Sequence, residues 1–163
     1  MTQQAYLGLG ANLADPEQQL QEALARLTRH EGIELLACSS FYRSRPLGPQ
    51  DQDDFINAVC RISTSLSPLD LLDRLQAIEQ AQGRQRSRPW GPRTLDIDLL
   101  FYADLVLHSE RLTLPHPRIA ERAFVLYPLR ELLPDGCLPD GRRLDELEPA
   151  VRGQSIYPWP QPD

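Results

Sequence analysis

The chain has 163 residues, 41% hydrophobic and 25% charged, with a formal net charge of −6. That is the size of one domain around one continuous core, and the negative balance excludes a nucleic-acid binder held by phosphate contacts over a broad basic surface. All 17 basic residues are arginine, which excludes a Walker A lysine, a protein-kinase lysine and a Schiff-base lysine, so any phosphate must be met by arginine and metal. The three cysteines, Cys38, Cys60 and Cys137, are odd in number and widely spaced, as small core residues are, and form neither a disulfide framework nor a zinc pattern. With no basic, apolar leader and no apolar run of spanning length, a cytoplasmic location is expected.

In chain order, Ala5, Leu7 and Leu9 alternate with Tyr6, Gly8 and Gly10, predicting a strand that ends in a turn at Gly10-Ala11-Asn12. Asp15-Pro16-Glu17-Gln18 supplies an N-cap, a proline at the first helical position and a capping-box partner. The helix that follows carries the stripe Leu20, Ala23, Leu24 and Leu27 and ends before Gly32. Ile33 to Tyr42 reads as a strand and Arg43 to Pro49 as a loop. In the next strand, Phe55 to Ser65, Ile56, Ala58, Cys60 and Ile62 face the core, with Phe55, Asn57, Val59 and Arg61 on the other side. A second helix starts at Ser67-Pro68, buries Leu71, Leu72, Leu75 and Ile78, and stops at Gly83, with Gln76 and Glu79 beside its stripe.

Gly83 to Pro92 has neither period and reads as a mobile loop. Leu95 to Tyr102 is a strand in which Leu95, Ile97, Leu99 and Phe101 share one face, and Ala103-Asp104 turns it toward a short partner at Leu105 to His108. Short helices are expected near Arg118 to Arg122 and from Phe124 to Leu133, turns at Asp135-Gly136 and Asp140-Gly141, and a disordered tail over 157–163. Strand, helix, strand, strand, helix, strand is the order of an α+β, ferredoxin-like βαββαβ core with an antiparallel sheet, here with extra C-terminal helices and a β-hairpin, in one domain over 1–163.

The strongest chemical signal is Asp96-Ile97-Asp98 in an otherwise apolar strand. Strand residues two apart share a face at roughly 6 to 7 Å. Two carboxylates at that spacing repel by on the order of 2 to 3 kcal/mol at an effective dielectric of about 20. A hard cation held largely by phosphate and water would relieve them, as magnesium does; a solvated edge strand is the alternative. Just upstream, Arg84, Arg86, Arg88 and Arg93 crowd a stretch without an acid, and arginine forks suit phosphate, although a charge run is also an ordinary surface. Trp90 among them reads either as part of a lid or as a ring folded onto the core. His116, between two prolines, is a phosphate donor or a structural residue. Phe55 and Phe124 are core residues or stacking surfaces, and Asn57 offers the paired donor and acceptor that a flat heterocycle requires. Gly8-Leu9-Gly10 lacks the third glycine of a dinucleotide fingerprint.

At Arg88-Pro89-Trp90-Gly91-Pro92-Arg93-Thr94-Leu95-Asp96-Ile97-Asp98 the chain closely resembles the hydroxymethyl-dihydropterin pyrophosphokinases of folate biosynthesis. The likeness extends to Gly10-Ala11-Asn12-Leu13, Pro46-Leu47-Gly48-Pro49-Gln50, Phe55-Ile56-Asn57-Ala58-Val59 and Pro115-His116-Pro117. The resemblance implies a ferredoxin-like monomer that uses ATP and two magnesium ions and releases AMP and the pterin diphosphate. It further implies Asp96 and Asp98 as metal ligands and Arg84 and Arg93 as the arginines closest to the chemistry. Gln76, Glu79, Arg86, Trp90, Arg93, Arg111, Thr113, His116 and Arg122 match ATP-side positions. Ser44, Leu47, Phe55, Asn57, Trp90 and Phe124 match the pterin side. Two rivals are a ligand-sensing module on the same fold, which would bind without forming AMP, and an RNA-binding domain, which the acidic balance disfavours.

Overall fold

A computed structural model of the chain describes residues 1–13, 15–47, 52–83, 94–133 and 135–159. Strand β1 (Gln3–Ala11) leads to helix α1 (Pro16–Arg29), which Asp15 caps by accepting from the Gln18 amide. Next come β2 (Ile33–Cys38), β3 (Phe41–Ser44) and β4 (Phe55–Thr64), then α2 (Pro68–Ala81), capped by the Ser67 hydroxyl on the Asp70 amide. The first core pass ends in β5 (Asp96–Tyr102). The sheet runs β5-β1-β4-β3, with β2 also on β4, and its pairs are antiparallel. Strands β1 and β2 are therefore split by β4, as the ferredoxin-like reading requires.

One sheet face takes Leu7, Leu9, Ile56, Ala58, Cys60, Ile62, Ile97 and Leu99 and packs on Leu20, Ala23 and Leu27 of α1 and Leu71, Leu75 and Ile78 of α2. These are the stripes that the two periodicities predict. The other face is covered over part of its length by α3 (Ala123–Leu132), through Val125, Leu126 and Leu129 against Tyr6, Val59, Leu100 and Phe101. Val59 is thus core, on a face that strand alternation alone leaves open to solvent.

Several expectations change. The strand β1 runs through Gly10 and Ala11, where a turn is predicted, because both residues are paired across β4. Arg43 and Ser44 belong to β3 rather than to a loop, and the predicted strand from Ile33 to Tyr42 breaks at Ser39-Ser40. Phe101 does not share a face with Ile97. Tyr6 pairs with Phe101 and Leu7 with Leu99, leaving Leu100 as an extra residue; such a bulge reverses the alternation beyond it, so Phe101 stacks on Tyr6 at 4.5 Å and Tyr102 turns to the helix-covered face. The hairpin joins β6 (Leu107–His108) to β7 (Thr113–Leu114) instead of joining Leu105–His108 to β5.

A 3-10 turn, Ile119–Glu121, precedes α3, and α4 (Leu144–Leu147) follows the two glycine turns, where Gly136 and Gly141 have φ of 60° and 92°. The predicted tail is ordered over residues 157–159: Ile156–Trp159 forms β8, the edge strand beside β3. An edge position tolerates Pro158, which has no amide proton to donate. Among the described residues, no helix is long and apolar enough to cross a membrane.

Candidate active site

The uncovered part of the second sheet face begins where α3 stops. Across this face, antiparallel register lines up Asp96, Gly10, Asn57 and Tyr42 in one row, and Asp98, Gly8 and Val59 in the next, with α3 lying over Val59 and bonded through Glu131 to the Tyr42 hydroxyl. Two glycines thus separate the carboxylates on β5 from the amide on β4. At about 4.8 Å per strand, the backbones of Asp96 and Asn57 stand roughly 10 Å apart, with no side chain rising between them. A Cβ on Gly10 would come within 3.1 Å of Asn57 Oδ1, and one on Gly8 within 3.4 Å of the Leu100 side chain. Glycine is required here for close approach, not for a turn.

Asn57 is 2% exposed and its Nδ2 donates to Ser44 Oγ at 2.7 Å. That bond fixes the amide orientation and leaves its oxygen toward Gly10. Asn12, 1% exposed, donates from Nδ2 to Gln52 Oε1 and to the Asp53 carbonyl, both at 2.9 Å, so the end of β1 secures the approach to β4. Phe55, which opens β4, and Phe124, in the first turn of α3, are both half-buried. Leu47, at 44% exposure, is the outermost of the described residues predicted on this side.

On the other side, β5 is an edge strand whose outward Ile97 amide donates to Glu79 Oε2 at 2.8 Å. The buried Glu79 carboxylate therefore anchors the strand bearing the aspartates from below. Gln76 lies one helical turn before it and accepts from Arg111 Nη2 at 3.5 Å, while the same nitrogen donates to Asp73 at 2.6 Å. This brings Arg111, and with it the hairpin containing Thr113, alongside α2 next to the β5 edge. Thr113 is half-buried.

Arg122 contacts a residue from each of the two predicted sets. Its Nη1 lies 3.5 Å from Asp98 Oδ2, and its guanidinium sits 5.5 Å from the Phe124 ring centroid. Burial lowers the Arg122 pKa, opposed chiefly by the charge of Asp98 and more weakly by Asp96; arginine stays protonated regardless. The aspartate repulsion inferred from spacing is thus met in part by a fixed cation. His116 is pushed down to about 4, first by burial and then by Arg122 and Arg118. Its backbone amide donates to the carbonyl of the bulged Leu100 at 2.7 Å, and its Nδ1 accepts from the Arg118 amide at 3.1 Å. A ring accepting at Nδ1 carries its proton on Nε2, so His116 presents a neutral N–H donor.

The residues fit a magnesium ion. Asp96 and Asp98 are half-buried on one strand face, and two hard carboxylates without a third His, Cys, Asp or Glu donor among the described residues form a donor set that phosphate oxygens and water complete. Arg84, Arg86, Trp90 and Arg93, read as the lid and the arginines nearest the chemistry, lie outside the described residues. Sequence reasoning missed the glycine floor, whose signal was glycine at alternate positions of a strand, and the anchor by Asn12, which has no local signal.

A ferredoxin-like sheet thus carries a carboxylate-arginine edge two strands from a buried amide, the arrangement expected of a small-molecule enzyme of this fold. Residues 6–134 match the family model of 7,8-dihydro-6-hydroxymethylpterin-pyrophosphokinase (HPPK), and the chain belongs to that family. It is 51% identical over 160 residues to the 2-amino-4-hydroxy-6-hydroxymethyldihydropteridine pyrophosphokinase of Pseudomonas aeruginosa, covering 98% of this chain and 99% of that protein. The protein of the same name from Haemophilus influenzae is 50% identical over 143 residues, with 88% and 89% covered. In fold, the chain is similar to the crystal structure of wild-type Plasmodium falciparum HPPK-DHPS with pteroate, at a TM-score of 0.69 and 14% identity. That match covers 90% of this chain and 42% of the solved one, so this chain spans less than half its length.

Proposed function

We infer that the protein transfers a pyrophosphoryl group from ATP to 6-hydroxymethyl-7,8-dihydropterin, giving AMP and the pterin diphosphate, in folate biosynthesis. The observation that carries this reading is the row Asp96, Gly10, Asn57: a charged edge and a hydrogen-bonding amide, separated by a floor without side chains.

The acceptor hydroxyl attacks the β-phosphorus in line. The new O–P bond forms as the bond to the α-phosphate oxygen breaks, AMP departs, and the hydroxyl proton is released. Transfers of this kind depend on positioning and on stabilising charge over the phosphate oxygens. On the acceptor side, Asn57 and the backbone around Ser44 and Leu47 read the polar edge of the pterin, Phe55 and Phe124 sandwich its ring, and Trp90 belongs to the lid over it. On the donor side, Gln76, Glu79, Arg86, Arg93, Arg111, Thr113, His116 and Arg122 serve the nucleotide, with Arg84 and Arg93 nearest the transferred group. Two magnesium ions at Asp96 and Asp98 would neutralise charge on the triphosphate. Arg122 orients Asp98 and, through Phe124, couples the metal side to the pterin side. His116 donates without adding charge. We also propose that the protein works as a monomer in the cytoplasm.

Single-turnover incubation with ATP, magnesium and the hydroxymethyl pterin tests the reading by separating the nucleotides formed. One AMP per pterin diphosphate is expected; ADP in its place would overturn the reaction type.

A further inference from the structure

Strand β8 stands at the far edge of the sheet, beside the strand that carries Ser44, and it touches that strand on both faces. In register, Ser44 lies between Phe55 on β4 and Ile156 on β8, so Ile156 borders the floor on the side away from the aspartates. The backbone continues the connection, because the Arg45 amide donates to the Ser155 carbonyl at 3.2 Å. On the opposite face, the Arg43 guanidinium lies 5.8 Å from the Tyr157 ring centroid and 5.4 Å from that of Trp159. Its Nε also donates to Asp54 Oδ2 at 3.0 Å, one residue before Phe55.

Arg43 therefore joins three segments behind the floor: β8 through two rings, β3 through its own backbone, and the entry to β4 through Asp54. Aromatic faces attract a guanidinium through the ring quadrupole, and a carboxylate fixes its direction. What Arg43 secures is the spacing of the opposed pair Ser44 and Phe55, one row beyond Asn57 on the same face.

We propose that Arg43, clamped by Tyr157 and Trp159 and bound to Asp54, is a positioning residue for the pterin, and that β8 closes the pterin end of the site. The inference rests on the assignment of Ser44, Phe55 and Asn57 to the pterin. It predicts an effect on one substrate only: a loosened floor weakens pterin binding, while the carboxylate edge two strands away continues to hold ATP.

The test uses steady-state kinetics with each substrate varied in turn. Replacing Tyr157 and Trp159 together by leucine keeps apolar bulk but removes both ring faces; Arg43→Met leaves β8 unchanged and removes the cation. Both variants should raise KM for the pterin about tenfold, the combined effect expected for a few contacts of this kind, with KM for ATP and kcat unchanged within about twofold. The conservative pair Tyr157→Phe and Trp159→Phe should restore the wild-type value, which a purely structural loss would not do. Equal rises in both KM values, or an unchanged pterin KM in Arg43→Met, overturn the clamp. Asn57→Ala serves as the control: if it raises pterin KM while Arg43→Met does not, only the clamp fails, and if it has no effect, the pterin assignment fails and the clamp with it.

Discussion

The two ends of one sheet face contrast the same three strands in an apolar core at one end and in the proposed site at the other. At the end beneath α3, β1, β4 and β5 present Tyr6, Val59 and Leu100, with Phe101 stacked on Tyr6, and these are 8% exposed or less. At the open end the same strands present Gly10, Asn57 and Asp96, and the row of Asp98, Gly8 and Val59 is where the two ends meet. The bulge at Leu100 marks the change: it turns Phe101 into the apolar cluster, and the carbonyl of its extra residue accepts from the His116 amide. The difference teaches that packing stops where close backbone approach and charge begin, and that effects on folding and on turnover should separate along a few residues of one strand.

The largest separation is expected from Asp98→Ala. Losing a carboxylate from the proposed metal edge should lower the single-turnover rate by about a thousandfold, in the range of removing one charge-stabilising group from a transfer site. Stability should hardly move. Repulsion between the aspartates alone argues for a gain on removing one, but Arg122, with a side chain only 16% exposed, pairs with Asp98 at 3.5 Å, and losing that partner offsets the relief. A urea-denaturation change of under about 1 kcal/mol is expected for such a partly exposed pair. A wild-type rate in this variant would end the metal-site assignment.

The reverse result is expected at the covered end. Leu126 is fully buried between α3 and the sheet, so Leu126→Ala should cost about 2 to 5 kcal/mol through lost burial and the cavity left behind. Per folded molecule, kcat should stay near wild type. If turnover falls as far as stability does, the two ends are not independent. Gly10→Ala probes the boundary between them: the added methyl meets Asn57 Oδ1 at 3.1 Å, so the amide must shift. Pterin KM should rise by about tenfold, roughly the 1.4 kcal/mol of one impaired polar contact, and more than KM for ATP.

Much of this organisation is legible in the sequence where the cause is local. Asp15-Pro16 and Ser67-Pro68 start helices because capping needs only neighbouring residues, and the stripes on α1 and α2 face the core as their spacing predicts. Asp96 and Asp98 share a face because strands have period two. What escaped depends on partners distant in the chain. Gly10 reads as a turn until Asn57 is placed opposite it, and Val59 reads as surface until α3 lies over it. Pro158 reads as a tail because proline argues against a strand, except at an edge, which only the pairing with β3 reveals. The two-residue strands β6 and β7 are too short for any period to declare their pairing. Within the site, the aspartates and Asn57 stand out by residue type, whereas the Asp98-Arg122 contact spans two separate elements and has no signature in either.

The smallest effect concerns His116, which lies at the open end although its neighbours Leu114 and Ile119 are buried. Its pKa in the folded protein is about 4, below the ordinary 6.5, because burial and then the cations Arg122 and Arg118 disfavour the imidazolium. The unfolded chain therefore binds a proton between those values that the folded chain refuses. By linkage, the neutral ring's contribution is fully present above about pH 6.5 and is lost as pH falls toward about 4. Because the ring is only partly buried, the loss between pH 6.5 and 5 should be about 1 kcal/mol after allowing for solvent screening. His116→Gln, which cannot titrate, should flatten the stability profile over that window, where most carboxylates are still ionised. Urea midpoints at pH 6.5, 5.75 and 5 for both proteins measure the difference. Parallel profiles would show that folding leaves the His116 pKa unshifted, and the proposed exclusion of a proton from the folded ring would fail.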